Sequence, residues 1–294
     1  MGYLFLSVAL VCGAIKGFCG KKMSSYAENL HSAALINLVR MTVCVLISLC
    51  VVILSGNIGS LKASGSLIAI SVLAGVSTAA FIVTWLLSVR KSAYMMLDVF
   101  LMLGTLVPII SGRILFAEVI GIRKIIGLTV LVAAVIIMCS YNNSVKAKFT
   151  PSSFILLVLC GISNGVTDLS QKIATKTIES LSVDIFNLYT YIFAVLTLLI
   201  TIVFIPKKEK TDTEGGTLKP IVYVLIMAGA LTANSYFKTQ AAFYLYSAEL
   251  YPLSQGGSLI LSTFMATVFF KEKLKVSAVI GVALAFVALM IINL

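Results

Sequence analysis

Ten apolar runs divide the chain, at about 3–20, 33–55, 66–89, 93–116, 119–140, 152–171, 183–205, 220–244, 251–270 and 276–294. Each is close to the length that crosses a hydrocarbon core as an α-helix. Lipid offers no water to the backbone, so an open chain can span it only as a helix, which satisfies its own N–H and C=O groups. The expected fold class is therefore an all-α integral membrane protein with ten transmembrane helices. Composition agrees. Apolar residues make up 60% and charged residues 11%, against about 25% charged in soluble domains. So few charges cannot cover a water-facing surface, which excludes a soluble enzyme. The first run has no basic stretch before it and no small-residue cleavage site before Lys21. It reads as a span and not as a cleaved signal.

The net charge is +11, from 22 Lys and Arg against 11 Asp and Glu. Most cations stand at the ends of apolar runs, as in Lys21-Lys22, Arg90-Lys91, Arg123-Lys124 and Lys207-Lys208. Cations there lie at headgroup level and meet anionic lipid, so the excess is a membrane signature and no nucleic-acid partner is expected. The six cysteines all fall in or beside apolar runs without a CxxC pair, so no metal site, cofactor or disulfide framework is expected. The one sizeable polar loop is 206–219. Short connections elsewhere predict that successive helices are antiparallel neighbours. Pro108 and Pro252 fall within membrane runs, where they imply a kink or local break.

The two halves resemble each other. A shift of 154 places Gly75 on Gly229, Thr78 on Thr232, Glu118 on Glu272 and Gly127 on Gly281. A shift of 150 places Asn37-Leu38 on Asn187-Leu188, and one of 148 places Gly13-x3-Gly17 on Gly161-x3-Gly165. Two repeats follow, at 1–144 and 145–294. Five helices per repeat make the second half enter the membrane from the opposite side, so the halves are expected to be inverted copies, an architecture suited to alternating access around a midplane site.

Leu115-Phe116-Ala117-Glu118 followed by Gly127, and Phe269-Phe270-Lys271-Glu272 followed by Gly281, end the fourth and ninth runs. With the Gly-rich first helix of each half and Arg40 early in the second, they resemble the drug/metabolite transporter superfamily, ten-helix EamA type. A Gly commonly precedes the Glu in that pattern, where Ala117 and Lys271 stand here. The resemblance implies a bundle around a central cavity in the cell membrane, plasma or bacterial inner, carrying small metabolites, often outward. It also implies cytoplasmic termini. That arrangement leaves six Lys and Arg on the cytoplasmic side and thirteen on the other, whereas the positive-inside rule puts the termini outside.

A charge at midspan costs about 2.5–3.5 kcal/mol on insertion scales, so each needs a reason. Lys238 lies deep in its run with Asn234 on its face; it is a candidate to bind substrate or protons, or to pair with an acid. Lys16 shares a face with Gly13, Gly17 and Gly20 and either meets a ligand or snorkels. Arg40 carries forked donors suited to a carboxylate or phosphate, or to a buried structural acid. Asp168 belongs to the stripe Asn164–Asp168–Gln171, which must face protein or a cavity, and it offers a group for proton coupling. Asp98 reads as a cap or interface residue. Glu118 and Glu272 read as helix N-terminal charges favoured by the backbone dipole. Ser254, Ser258 and Ser262 form a second stripe, packing or pore-lining, while Tyr191 and Tyr236 are deep enough to line a cavity. His31, the one histidine, reads as a solvated loop residue.

Taken together these residues predict a secondary transporter, not an enzyme, that moves an amino acid or organic anion as a monomer or homodimer. The alternatives are a non-transporting scaffold or receptor subunit and an exporter of cationic drugs. No GxxxxGK[ST] loop marks ATP-driven transport.

Overall fold

The computed structural model describes residues 1–56, 61, 64–91, 94–142, 151–205, 218–271 and 276–293. Most of the 206–219 loop lies outside them, and so does Glu272. The described residues form eleven α-helices and no strand: α1 (Gly2–Met23), α2 (Leu30–Leu54), α3 (Gly65–Lys91), α4 (Tyr94–Gly104), α5 (Leu106–Phe116), α6 (Ile122–Asn142), α7 (Pro151–Thr177), α8 (Val183–Phe204), α9 (Leu218–Tyr244), α10 (Ser247–Val268) and α11 (Val276–Asn293). Six stretches are long and apolar enough to cross a membrane: Gly2–Tyr26, Leu30–Leu54, Gly65–Arg90, Pro151–Thr177, Val183–Phe204 and Pro220–Tyr244.

Local chemistry sets the boundaries. The Asn29 side chain accepts from the Ser32 amide at 2.8 Å while the Ser32 hydroxyl accepts from the Asn29 amide at 2.9 Å, a reciprocal cap that starts α2. His31 lies in the first turn of that helix, which corrects its reading as a loop residue. The fourth apolar run is two helices, broken at Thr105. Pro108 explains the place: its ring has no N–H for the carbonyl of Gly104, four residues back. Pro252 stands inside α10, which continues through it although the ring offers no N–H to the Ala248 carbonyl four residues back.

Packing differs from the expectation of sequential neighbours. The closest helix pairs join the two halves: α1 on α9, α3 on α7, α6 on α11, and α2 and α3 on α8. Short loops fix the direction of the next helix but not its partner; close approach is decided by small residues. A side chain on Gly104 would collide with the carbonyl of Gly161, and one on Gly165 with that of Gly104, so the α4–α5 break and α7 touch backbone to backbone. Apolar side chains such as Leu46, Ile53, Ile155, Ile200 and Val203 point outward, while Asn37, Arg40, Asp98, Asn164, Asp168, Lys172 and Lys238 are buried. Only a lipid surround makes that inverted arrangement favourable.

Ala117 and Lys271, related by the 154-residue shift, both adopt left-handed backbone, with φ of 50° and 53°. Ala117 closes α5 by bonding its amide to the Gly112 carbonyl, a helix end that usually takes Gly. The left-handed conformation costs a residue with a Cβ about 1–2 kcal/mol. Glycine's extra freedom in the unfolded chain costs about 0.4–1 kcal/mol, so relief of strain wins. Ala117→Gly and Lys271→Gly are each expected to raise the melting temperature in detergent; unchanged or lowered values would show that the turns are not strained.

Candidate functional site

Seven helices, α1, α3, α4, α7, α8, α9 and α10, enclose a central cavity with ≈ 90 Å³ of room for the centres of water-sized molecules. Helical periodicity aims the polar stripes at it. From α7 come Asn164, Asp168 and Gln171; from α9, Asn234 and Lys238; from α10, Ser254, Ser258 and Ser262; and from α1, Gly13, Lys16 and Gly17. Tyr191 lines the cavity from α8 and Asp98 from α4. The matching glycine pairs thus do different work: Gly13 and Gly17 face the cavity, whereas Gly161 and Gly165 form the seam with α4 and α5.

Two candidates lie elsewhere. Arg40 stands behind the wall formed by Phe81 and Trp85 and adjoins a small separate hollow with Lys16. Its Nη1 donates to Asn37 Oδ1 at 3.4 Å, Asn37 in turn donates to the carbonyls of Ala33 and Ile82, and Arg40 Nε has no hydrogen-bond partner among the described residues. Tyr236 lines a second cavity of ≈ 380 Å³ between α2, α8 and α9, which meets the central one at Asn187.

The charges divide into paired and unpaired. Lys238 Nζ donates to Asp168 Oδ1 at 2.6 Å, with both side chains under a tenth exposed. The ammonium also lies over the Tyr251 ring, 5.5 Å from its centre, and the Tyr251 hydroxyl donates to the Asp168 carbonyl at 2.7 Å. Asp98 is held by a hydrogen bond from the Ser262 hydroxyl. Lys16 meets no carboxylate within ion-pair distance among the described residues; its ammonium lies 5.8 Å from the centre of the Phe81 ring. Asn234 donates to the Ala9 carbonyl at 2.6 Å, tying α9 to α1. Asn164 Nδ2, Gln171 Oε1, Asn187 Nδ2 and Thr190 Oγ1 are buried in the wall without hydrogen-bond partners among the described residues. The cavity therefore offers a free cation together with neutral donors and acceptors, the inventory that orients a small polar ligand.

A second buried pair was not legible. Lys172 Nζ lies 3.1 Å from Glu118 Oε1 and donates to the carbonyls of Leu245 (2.7 Å) and Ala242 (3.3 Å). Glu118 Oε2 accepts from the amide of Ser247, the first residue of α10, at 2.8 Å. The reading of Glu118 as a charge at its own helix's N-terminus is thereby corrected: the dipole it meets belongs to α10, because left-handed Ala117 turns the chain back toward that helix. Lys172 follows Gln171 near a helix end, so by sequence it reads as one more headgroup cation; only its position on the inward face sets it apart. Among the described residues no three His, Cys, Asp or Glu converge as a metal site would require.

Comparison with known proteins adds the family. Residues 151–294 match the EamA-like transporter family. The chain carries an EamA-like transporter domain. That match is consistent with the drug/metabolite transporter superfamily and, together with the long apolar helices, supports a multi-pass membrane protein. A crystal structure of another protein, 12% identical, superposes over 99% of this chain and 96% of its own, with a TM-score of 0.75, so the likeness of fold extends beyond the matched domain. No protein of curated function matches this chain.

Breaking a buried ion pair strands its partner, at about 3–5 kcal/mol. Asp168→Asn and Lys238→Met are each expected to lower the melting temperature, and the double variant to recover much of the loss. Single variants that melt with the parent would show that the pair does not hold α7 to α9.

Proposed function

We propose that the chain is a secondary active transporter, a carrier rather than an enzyme, which moves a small amino acid or organic anion across the cell membrane. Ten spans form two inverted five-helix repeats, with α4 and α5 together making one span. Packing supports this reading, because it survives exchange of the halves. α1 packs on α9 and its counterpart α7 on α3; α4 packs on α7 and its counterpart α10 on α1. α2 with α8 and α6 with α11 pair counterparts directly. The recurrence of left-handed backbone at 117 and 271 adds a geometric echo of the repeat.

The observation that carries the substrate class is the imbalance of charge. Asp168 and Lys238 cancel each other. Among the described residues, Lys16 and Arg40 meet no carboxylate within ion-pair distance, against Asp98 as the buried acid beside them. A substrate carboxylate beside Lys16 balances this centre, whereas a cationic drug adds to the excess. A substrate that competes for Lys238 also frees the Asp168 carboxylate to take a proton, which gives a route to proton coupling. Alternating access follows if the site faces each side in turn as the inverted halves exchange conformations.

The test is transport in proteoliposomes, with labelled amino acids and organic acids on one side. Uptake is expected for at least one of these substrates. Lys16→Met is expected to raise its KM about tenfold or more, the worth of one hydrogen bond to a charged group. Lys238→Ala and Asp168→Ala are expected to abolish transport. Parent rates in both alanine variants would refute the site.

A further inference from the structure

The Asp168–Lys238 pair and the Glu118–Lys172 pair are stacked layers of one column. On α7, Lys172 follows Asp168 by four residues; on α9, Ala242 follows Lys238 by four; on α10, which runs the other way, Ser247 precedes Tyr251 by four. Four residues are one turn, a rise of about 6 Å. Three helices thus each give one group to the cavity layer and one to an outer layer, nearer the membrane face that carries the chain termini. The Leu245 carbonyl joins this outer layer, and so does Glu118, which comes from the other half of the sequence.

That outer layer is sealed. The Lys172 side chain is 1% exposed and the Glu118 side chain 5%. Gly112 lets α5 come close, since a Cβ there would stand 2.8 Å from Ser247 Oγ and 2.9 Å from Glu118 Oε2. At the rim, Lys124 of α6 pairs with Glu249 of α10 at 2.6 Å, half-buried and with the opposite polarity across the same joint. A permanent joint between helices is served as well or better by apolar residues, because a buried ion pair gives back in desolvation much of what it gains in attraction. Every group in this joint (carboxylate, ammonium, amide and carbonyl) is instead one that water can satisfy once the joint parts. Parting the joint therefore leaves none of these groups without a partner, as a reversible closure requires.

We propose that Glu118, clasped by Lys172 and the Ser247 amide, is a gate that seals the cavity from the terminal side, and that it is released when substrate breaks the Asp168–Lys238 pair one turn below. The proposal rests on the transporter reading of that cavity. Release works through the shared helices: a ligand that takes Lys238 from Asp168 moves α9 against α7, and the Ala242 and Leu245 carbonyls that hold Lys172 move with α9.

The test uses the full chain in sealed, oriented vesicles, with its cysteines replaced and Ser258→Cys as a reporter in the cavity wall. A membrane-impermeant maleimide is added to one side at a time, in the absence of substrate. Glu118→Gln, isosteric and still able to accept from Ser247, is expected to raise the ratio of terminal-side to opposite-side labelling about tenfold or more, as loss of a charge-assisted hydrogen bond implies. Lys172→Met is expected to act in the same direction, and the double variant to go no further than the larger single effect. An unchanged ratio in the folded Glu118→Gln protein would overturn the gate. So would labelling that rises equally from both sides, the sign of a merely loosened bundle. The readout needs no transported substrate, so failure of the gate and failure of the transporter reading are separable.

Discussion

Charge at membrane depth governs this molecule. Lipid gives a buried ammonium or carboxylate no solvent, so each must find a partner in the protein or stand beside a cavity. Asp168 and Lys238 find each other, and that pair holds α7 against α9 across the middle of the bundle. Glu118 and Lys172 do the same one turn outward, with α10 and the α5–α6 junction drawn in. Lys16 finds no carboxylate among the described residues and faces the cavity. The paired charges join helices, and on the proposed reading Lys16 is where a substrate carboxylate binds.

The backbone makes such pairing feasible. Glycines at 104, 161 and 165 bring the α4–α5 break into contact with α7, which carries Asp168 and Lys172 further along the same face. The break at Thr105, which Pro108 sets, stands next to Gly104 at that contact. Outside this polar column the surface is Leu, Ile, Val and Phe, which lipid can wet.

Much of this was legible in the amino-acid order. Run length and charge scarcity point to a helical membrane protein without any structural input, and helical spacing collects Asn164, Asp168 and Gln171 on one face. The link between Asp168 and Lys238 was not legible: seventy residues separate them, and spacing carries no information about which helices meet. Short loops suggested sequential neighbours, whereas glycine faces joined the two halves. Lys172 was missed because a cation five residues from a helix end looks like a headgroup anchor. Tyr236 has the same depth as a cavity residue but the wrong azimuth, so it faces the gap between α2, α8 and α9.

If the Asp168–Lys238 pair is both the joint between α7 and α9 and the element that substrate displaces, geometry and polarity can be separated by exchanging the two residues. The measurement is transport and melting of Asp168→Lys/Lys238→Asp in the same chain. The account predicts a protein that melts close to the parent, since the pair re-forms, but transports nothing, since the charges now face the wrong ends of the substrate. Parent-like transport by the exchanged protein would contradict it.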